Sequence, residues 1–495
     1  MTHRTIATVM APDARAAVDH ITRLGTSADW IEVRLDAFWH DVPDADQATD
    51  DLVAITDAAK APLLACLRPA RQGGKYLGAE DVRVGLLVAA AQVGFAAVDL
   101  ELDVALPAVV REVQRHGAEV VASLHAPGES PCRSDSQRYF AQLRDAAPIQ
   151  KLAFPCDSFL DQLRALEMVQ EQSNLGGHPI VAPMGTPAMF RALLALAGNE
   201  GTYAGAPAAS APGQPGLDEV QGVWKHWGLD SAALASRNGK WLAVLGAPVD
   251  KSLSARMHNA ALRAAGRRER YGALNVPDSP GTFRLVCHAA ARIGLIGASV
   301  TYPHKTTAAQ LAECDDVAKA VGAVNQIRFV ATRLEGTNTD ATGLRRLLAP
   351  HVRPGTTAIV LGAGGSARAA IWALKQHGAS VRVASRDAAR SKAAVAMADG
   401  WIPWTELANA SADVWVQATT IGLQDNQALA ATPKGARVAV ELNYKSGPTR
   451  FQAEAQRVGA HVIDGREVVL AQAIDAWRFW FGQEPDAVAM RKALE

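Results

Sequence analysis

Lys151 stands in "IQKLAF" (149–154), an apolar run bracketed by Pro148 and Pro155. Such a run reads as a buried strand, and lysine is seldom buried without a partner or a chemical task. Other polar residues fall in or after similar runs: Glu32 and Arg34 in "WIEVRL", Arg68 after "PLLACL", Asp99 and Glu101 in "AAVDLEL", His125 closing "EVVASLH", and Arg191 after "PIVAPM". Each alone fits a structural role: Glu32–Arg34 as an ion pair, His125 as a core histidine, Lys151 reaching for the rim. Together they suggest chemistry. A desolvated lysine near other cations has a lowered pKa and attacks a ketone as the neutral amine, giving an iminium. The iminium draws electrons and makes the adjacent C–H acidic, and His125 can take that proton near neutral pH. Arg191 and the loop around Ser210 would hold a substrate carboxylate.

A second set lies downstream. "TAIVLGAGGSARAAIWAL", from Thr357, is an apolar strand, a glycine turn and a helix. Gly362, Ala363, Gly364, Gly365, Ser366 and Ala367 fit the dinucleotide fingerprint with alanine in the third glycine position. Glycines there let backbone approach a pyrophosphate at a helix N-terminus. After the next strand come Arg386 and Arg390, one helical turn apart and suited to a 2′-phosphate. Asp387 between them would instead suit the ribose of NAD. NADP is the expectation.

Eight short β-rich runs, 5–10, 30–35, 62–67, 96–102, 119–125, 149–154, 179–184 and 201–206, alternate with helical patterns. That count and length predict a (β/α)8 barrel. An open doubly wound sheet is the alternative, but no glycine-rich first turn is present. "GAPAASAPGQPG" (205–216) resembles a linker in composition, yet it follows the eighth strand, where a barrel carries an active-site loop. The expected boundaries are a barrel over 1–228, a linker over 229–239, an α/β substrate lobe over 240–341 completed by 470–495, and a Rossmann lobe over 342–469.

Composition sets limits. The chain has 495 residues, 49% hydrophobic and 20% charged, with zero formal net charge. Three domains are the length prior. A neutral balance disfavours nucleic acid or anionic membrane as partner. The five cysteines, 66, 132, 156, 287 and 314, lack CxxC pairing; reduced thiols, a cytoplasmic location and no metal are expected. No signal peptide or membrane span is expected.

The first half resembles type I 3-dehydroquinate dehydratase through "EVRLD" (32–36), "LRPARQGGKY" (67–76), "DLEL" (99–102), "SLHAPGESP" (123–131), "QKLAFP" (150–155) and "SAPGQ" (210–214). The resemblance implies a TIM barrel in which Lys151 forms the Schiff base with the C3 ketone. It makes His125 the base and then the acid for syn loss of water, and Glu32, Arg34, Arg68, Arg191, Ser210 and Gln214 substrate ligands. Gln72 stands where the family has a glutamate contacting the histidine, and "MGTPAMFR" is short and lacks a serine before Arg191.

The second half resembles shikimate dehydrogenase through "GAPVDKSLSARMHNAAL" (246–262), "GASVTYPHK" (297–305), "GAVNQI" (322–327), "GTNTDATG" (336–343) and "AQA" (471–473). This implies that Ser252 and Ser254 bind a carboxylate, with Tyr444 nearby. Thr301, Asn325, Thr339 and Gln472 would bind ring hydroxyls, and Lys305 and Asp340 would be catalytic. Ser385, Thr420, Gly422, Leu423 and Gly465 would join the fingerprint residues at NADP. Leu423 replaces a frequent methionine, and Ser385 an asparagine. The joint implication is a bifunctional enzyme making 3-dehydroshikimate and then shikimate. The alternatives are an NAD-dependent quinate/shikimate dehydrogenase with a catabolic dehydratase, and a quinate-sensing regulator. The expected partners are small molecules; the sequence leaves the oligomeric state open.

Overall fold

The computed structural model describes residues 3–126, 128–206, 213–331, 333–389, 391–421, 432–444 and 447–495. Ser210, Arg390, Gly422 and Leu423 lie outside the described residues. By its contacts the chain forms two units. The first is Met1–Trp241 with Arg268–Leu274 and His288–Leu295; the second is Leu242–Arg267, Asn275–Cys287 and Ile296–Glu495.

In the first unit the eight apolar runs are strands: β1 (Arg4–Val9), β2 (Trp30–Arg34), β3 (Leu63–Cys66), β4 (Ala97–Glu101), β5 (Glu119–His125), β6 (Ile149–Pro155), β7 (His178–Met184) and β8 (Gly201–Gly205). They pair in parallel, from β7 back through β1 and on to β8. Among the described residues seven α-helices lie between these strands, including α3 (Glu80–Gln92) between β3 and β4 and α7 (Ala188–Ala197) between β7 and β8. Ile6, Trp30, Leu64, Ala97, Val121, Ile149, Ile180 and Tyr203, one from each strand, form a single buried cluster, the barrel floor. Strand side chains alternate with a period of two. Two residues further along, six of the strands therefore carry Thr8, Glu32, Cys66, Asp99, Ser123 and Lys151, a largely polar layer directly on the apolar one, with Ala182 and Gly205 on β7 and β8. Two further still come Arg34, Arg68 and His125.

The pairing order ends at β7 and β8, and side chains join these two strands. The Asn199 carboxamide accepts from Val181 N at 2.7 Å and donates to Val181 O at 3.1 Å and Gly201 O at 2.7 Å. Residues 229–239 carry a short helix, Ser231–Ala235, and the buried Arg237, which donates to Asn199 O at 2.9 Å.

The second unit holds two sheets. In one, the strands Trp241–Gly246, Leu295–Val300, Gln326–Val330, Arg333–Thr337 and Glu313–Cys314 are neighbours in that order. The pairing is mixed: antiparallel at the two contacts of Gln326–Val330 and parallel between Glu313–Cys314 and Arg333–Thr337. The other is wholly parallel, in the order Gly400–Pro403, Ser380–Ser385, Thr357–Leu361, Val414–Gln417, Val438–Glu441 and His461–Ile463. Counted along the chain that order is 3-2-1-4-5-6, the doubly wound arrangement whose crevice opens beside the first strand. The helix Gly465–Phe481 leaves this lobe and packs on the helix Thr339–Leu348. Gly343 permits the approach, since a Cβ there would lie 3.0 Å from Gln472 N. Among the described residues no helix is long and apolar enough to cross a membrane.

Two candidate active sites

In the barrel, Lys151 is 3% exposed. Its Nζ donates to Asp99 Oδ2 at 2.7 Å and lies 3.4 Å from Glu32 Oε1 and 4.3 Å from the Tyr203 ring centroid. Glu32, Cys66 and Asp99 bring their ligand atoms within 4.8 Å of one another, and the cation among these carboxylates is the Lys151 ammonium. Burial favours the neutral amine, but Asp99, then Tyr203 and Glu32, outweigh it and raise the pKa above that of ordinary lysine. Burial likewise opposes the Asp99 carboxylate, yet Lys151 and Arg68 hold its pKa below the usual range. His125 moves the other way: burial, Arg68 and Lys151 push it well below the usual imidazole value, against the opposing pull of Asp99. The resting site therefore pairs a cationic lysine with a neutral histidine. His125 Nδ1 lies 3.4 Å from Gln72 Oε1, while its Nε2 is buried and unpartnered.

The second unit gathers a polar cluster around Lys305, in the first turn of the helix Lys305–Leu311. Nζ donates to Asp340 Oδ2 at 2.6 Å and to Ser366 Oγ at 3.1 Å. Asp340 sits in the first turn of Thr339–Leu348, where the helix dipole favours a carboxylate. Its other oxygen accepts from Asn325 Nδ2 at 2.8 Å. Asn325 Oδ1 accepts from Thr339 N at 2.7 Å, and Gln326 Nε2 donates to Gln472 Oε1 at 2.9 Å. Tyr444 is hydrogen-bonded to Ser252, whose Oγ also accepts from Ser254 N at 3.3 Å. Beyond the strand Thr357–Leu361, Gly362 has φ +103° and a Cβ there would lie 2.9 Å from Ala418 O. Gly364 precedes the helix Gly365–Gln376, and a Cβ on it would meet nothing within 4 Å. A tight turn beside open space at a helix start fits a pyrophosphate.

The family model for type I 3-dehydroquinase matches residues 5–230, and that for the shikimate dehydrogenase substrate binding domain matches residues 244–327. The chain is 36% identical over 267 residues to the shikimate dehydrogenase (NADP(+)) of Anaeromyxobacter dehalogenans, covering 51% of this chain and 94% of the relative. The chain belongs to the shikimate dehydrogenase family. A type I 3-dehydroquinase domain precedes the dehydrogenase, so one chain carries a lyase and an oxidoreductase. The shikimate dehydrogenase (NADP(+)) of Pyrobaculum aerophilum is also 36% identical, over 266 residues, covering 51% of this chain and 97% of the relative. A solved structure of dehydroquinate dehydratase and shikimate dehydrogenase from S. pombe AroM covers 100% of this chain and 99% of its own, with 21% identity and TM-score 0.41.

In the 3-dehydroquinase domain the structure brings Lys151, Glu32, Asp99, Arg68 and His125 together and changes one expectation, the neutral amine. Lys151 is not a neutral amine, because Asp99 lies across the sheet from it. The Glu32–Arg34 pair does not form: Arg34 is bidentate to Asp36 at 2.8 Å and 2.8 Å, and Glu32 faces Lys151. Arg191 donates to the carbonyls of Pro183 (3.1 Å), Tyr203 (3.3 Å) and Thr186 (3.4 Å), neutral acceptors that bridge β7 and β8 and leave its charge uncompensated; burial lowers its pKa to about 10. No carboxylate among the described residues pairs with it. Gln214 Nε2 lies 3.5 Å from Thr8 Oγ1. Glu101 is held by Arg83 at 2.7 Å, a buried arginine on α3 that pattern reading missed.

In the dehydrogenase, Lys305, Asp340, Asn325, Thr339 and Gln472 converge, and Gln326 joins them unforeseen. The Thr301 methyl packs where a Cβ on Gly246 would collide with it. Gly465 has no room for a side chain, since a Cβ there would strike Asn443 O. Ala363 lies within the glycine turn, Thr420 is exposed after the strand Val414–Gln417, and Ala367 is buried in the helix core. Ser385 is occupied inside its own loop, accepting from Ser391 Oγ at 2.7 Å and Trp401 Nε1 at 2.9 Å. Asp387 Oδ1 accepts from Ala389 N at 2.8 Å, a local turn bond, while Arg386 is exposed.

Proposed function

We propose that the first unit dehydrates 3-dehydroquinate through an imine on Lys151 and that the second reduces the product, 3-dehydroshikimate, to shikimate with NADPH. The observation that carries this reading is Lys151 held between Asp99 and Glu32 in a barrel whose histidine is neutral. Lys151 must lose one proton before its lone pair adds to the C3 ketone; the neutral adduct then takes up a proton on its hydroxyl and loses water, which leaves a cationic iminium. The carboxylates that oppose deprotonation of the amine stabilise that iminium, because both states place a cation at the same point. His125 Nε2 takes the proton from the adjacent carbon and returns it to the departing hydroxyl. Arg68 and Arg191 supply cationic charge for the substrate carboxylate. No step calls on a metal.

NADPH, when bound, supplies the hydride of the second reaction. Lys305 gives a proton to the developing alkoxide, and Asp340 keeps that ammonium in place. Ser252, Ser254 and Tyr444 receive the carboxylate; Asn325, Thr339, Gln472 and Thr301 receive ring hydroxyls. Arg386 favours the 2′-phosphate, and Asp387 is engaged within its turn. The test is borohydride reduction in the presence of dehydroquinate, followed by peptide mass spectrometry. The adduct is expected on Lys151, and Lys151→Ala should lose dehydration while reducing dehydroshikimate normally. An active protein with no adduct, or with the adduct elsewhere, would overturn the assignment.

A further inference from the structure

We propose that Asp103, acting through the Gln72 carboxamide, fixes which nitrogen of His125 carries the proton. This rests on the dehydratase reading and concerns a positioning residue, since Asp103 does not touch the imidazole. Gln72 Oε1 faces His125 Nδ1 at 3.4 Å, and Gln72 Nε2 faces Asp103 Oδ1, also at 3.4 Å. A carboxylate only accepts hydrogen bonds. The Gln72 NH2 must therefore turn to Asp103, which leaves its carbonyl oxygen for the histidine. That oxygen in turn accepts only, so Nδ1 carries the hydrogen and Nε2 keeps its lone pair. Nε2 is the buried atom without a partner, the one free to act as base.

The chain anchors this relay. Asp103 Oδ2 accepts from Arg71 Nη2 at 2.6 Å and Nε at 3.2 Å, and Arg71 Nη1 donates to Glu80 Oε2 at 2.7 Å. Glu80 also takes Arg83, whose Nη1 donates to Glu101 Oε2 at 2.7 Å, tying the loop back to β4. Gln72 closes a short turn, Ala70–Gln72, and the next residue, Gly73, has φ +78°. A family carboxylate would settle the tautomer by direct contact and also raise the imidazole pKa. The Gln72–Asp103 pair settles the tautomer without placing a negative charge on the ring. The charged groups facing His125 are then Arg68 from the end of β3, Lys151 from β6, Arg34 from β2 and Asp99 from β4. Burial together with Arg68, Lys151 and Arg34 outweighs Asp99, so the imidazole stays neutral and available as a base at lower pH.

The test is the pH profile of dehydration for the unsubstituted protein, Asp103→Asn, Gln72→Glu and the double variant. Asparagine at 103 can accept as well as donate, so the Gln72 amide is free to turn over. Asp103→Asn should lower kcat about fivefold, the scale of one misdirected hydrogen bond, with KM little changed. Gln72→Glu should move the acidic limb to higher pH. In that background Asp103→Asn should cost less than about twofold, because a carboxylate accepts from Nδ1–H whatever stands behind it. Equal losses from Asp103→Asn in both backgrounds would mark Asp103 as merely structural and overturn the proposal, as would no loss in either. Borohydride trapping on Lys151 in every variant separates the two claims. If the unsubstituted protein traps but the variants fail to show the coupling, this inference alone falls. If it does not trap, the dehydratase reading falls and this inference with it.

Discussion

Replacing Asp99 by asparagine tests the electrostatics of the barrel site. The substitution keeps the shape and removes the charge 2.7 Å from Lys151 Nζ. At that separation an ion pair is worth about 6 kcal/mol at an effective dielectric near 20 and about 2 kcal/mol in water. With roughly 1.4 kcal/mol per pH unit, the Lys151 titration should fall by about one to four units. Glu32 at 3.4 Å remains and keeps the shift from being larger. Two consequences follow with opposite signs. More Lys151 is neutral near pH 7, so capture of ketone as an adduct becomes less pH-dependent. The iminium loses its nearest counter-charge, so proton abstraction beside it slows and dehydration falls. Competitive acetylation of the intact protein across a pH series, read at the Lys151 peptide, gives the titration directly, and kcat for dehydration gives the second effect. A Lys151 midpoint moved by less than about half a unit would refute the claim that Asp99 holds the ammonium.

Two further outcomes follow from the second unit. Arg386→Ala should raise the KM for NADPH about ten- to a hundredfold, the worth of one charge-assisted contact, and leave the KM for NADH unchanged; initial rates with both cofactors check it. Burial raises the Glu441 carboxyl to about 7 against the hydrogen bonds from Thr449 and Asn443, so the folded state keeps a proton that the unfolded chain releases near 4.5. Stability from this group is complete below about pH 4.5 and disappears as pH rises through 7, a loss of about 3 kcal/mol. Glu441→Gln, which cannot ionise, should remove this part of the decline in thermal stability between about pH 5 and about pH 8. An unchanged decline would contradict it.

The barrel was legible because each strand is an apolar run bounded by turn residues, and a count of eight over such a length admits few folds. The strand-end residues were legible for the same reason. The protonation state of Lys151 was not: its sequence neighbours are apolar, and Asp99 is 52 residues away, meeting it only through the β4–β5–β6 pairing. Arg191 was legible only as a cation near a strand end, where arginine suggests a carboxylate. Its role in joining β7 to β8 depends on those strands lacking a ladder, which no local pattern records. In the second unit the glycine turn and the dyad were legible from motifs. Across the chain the strands Arg270–Asn275, Gly400–Pro403 and His461–Ile463 were missed, being short or lacking a clean alternation. Asp103 carried no signal, since its importance depends on the amide that stands between it and His125.

The central claim is that one chain performs the two reactions in succession. The direct measurement supplies the purified protein with dehydroquinate and NADPH alone, following the enone of dehydroshikimate and the oxidation of NADPH together. NADPH should be consumed mole for mole with the dehydroquinate that reacts, preceded by transient enone, with Lys151→Ala abolishing both signals and Lys305→Ala leaving the enone to accumulate. No enone from dehydroquinate, while added dehydroshikimate is still reduced, would contradict it.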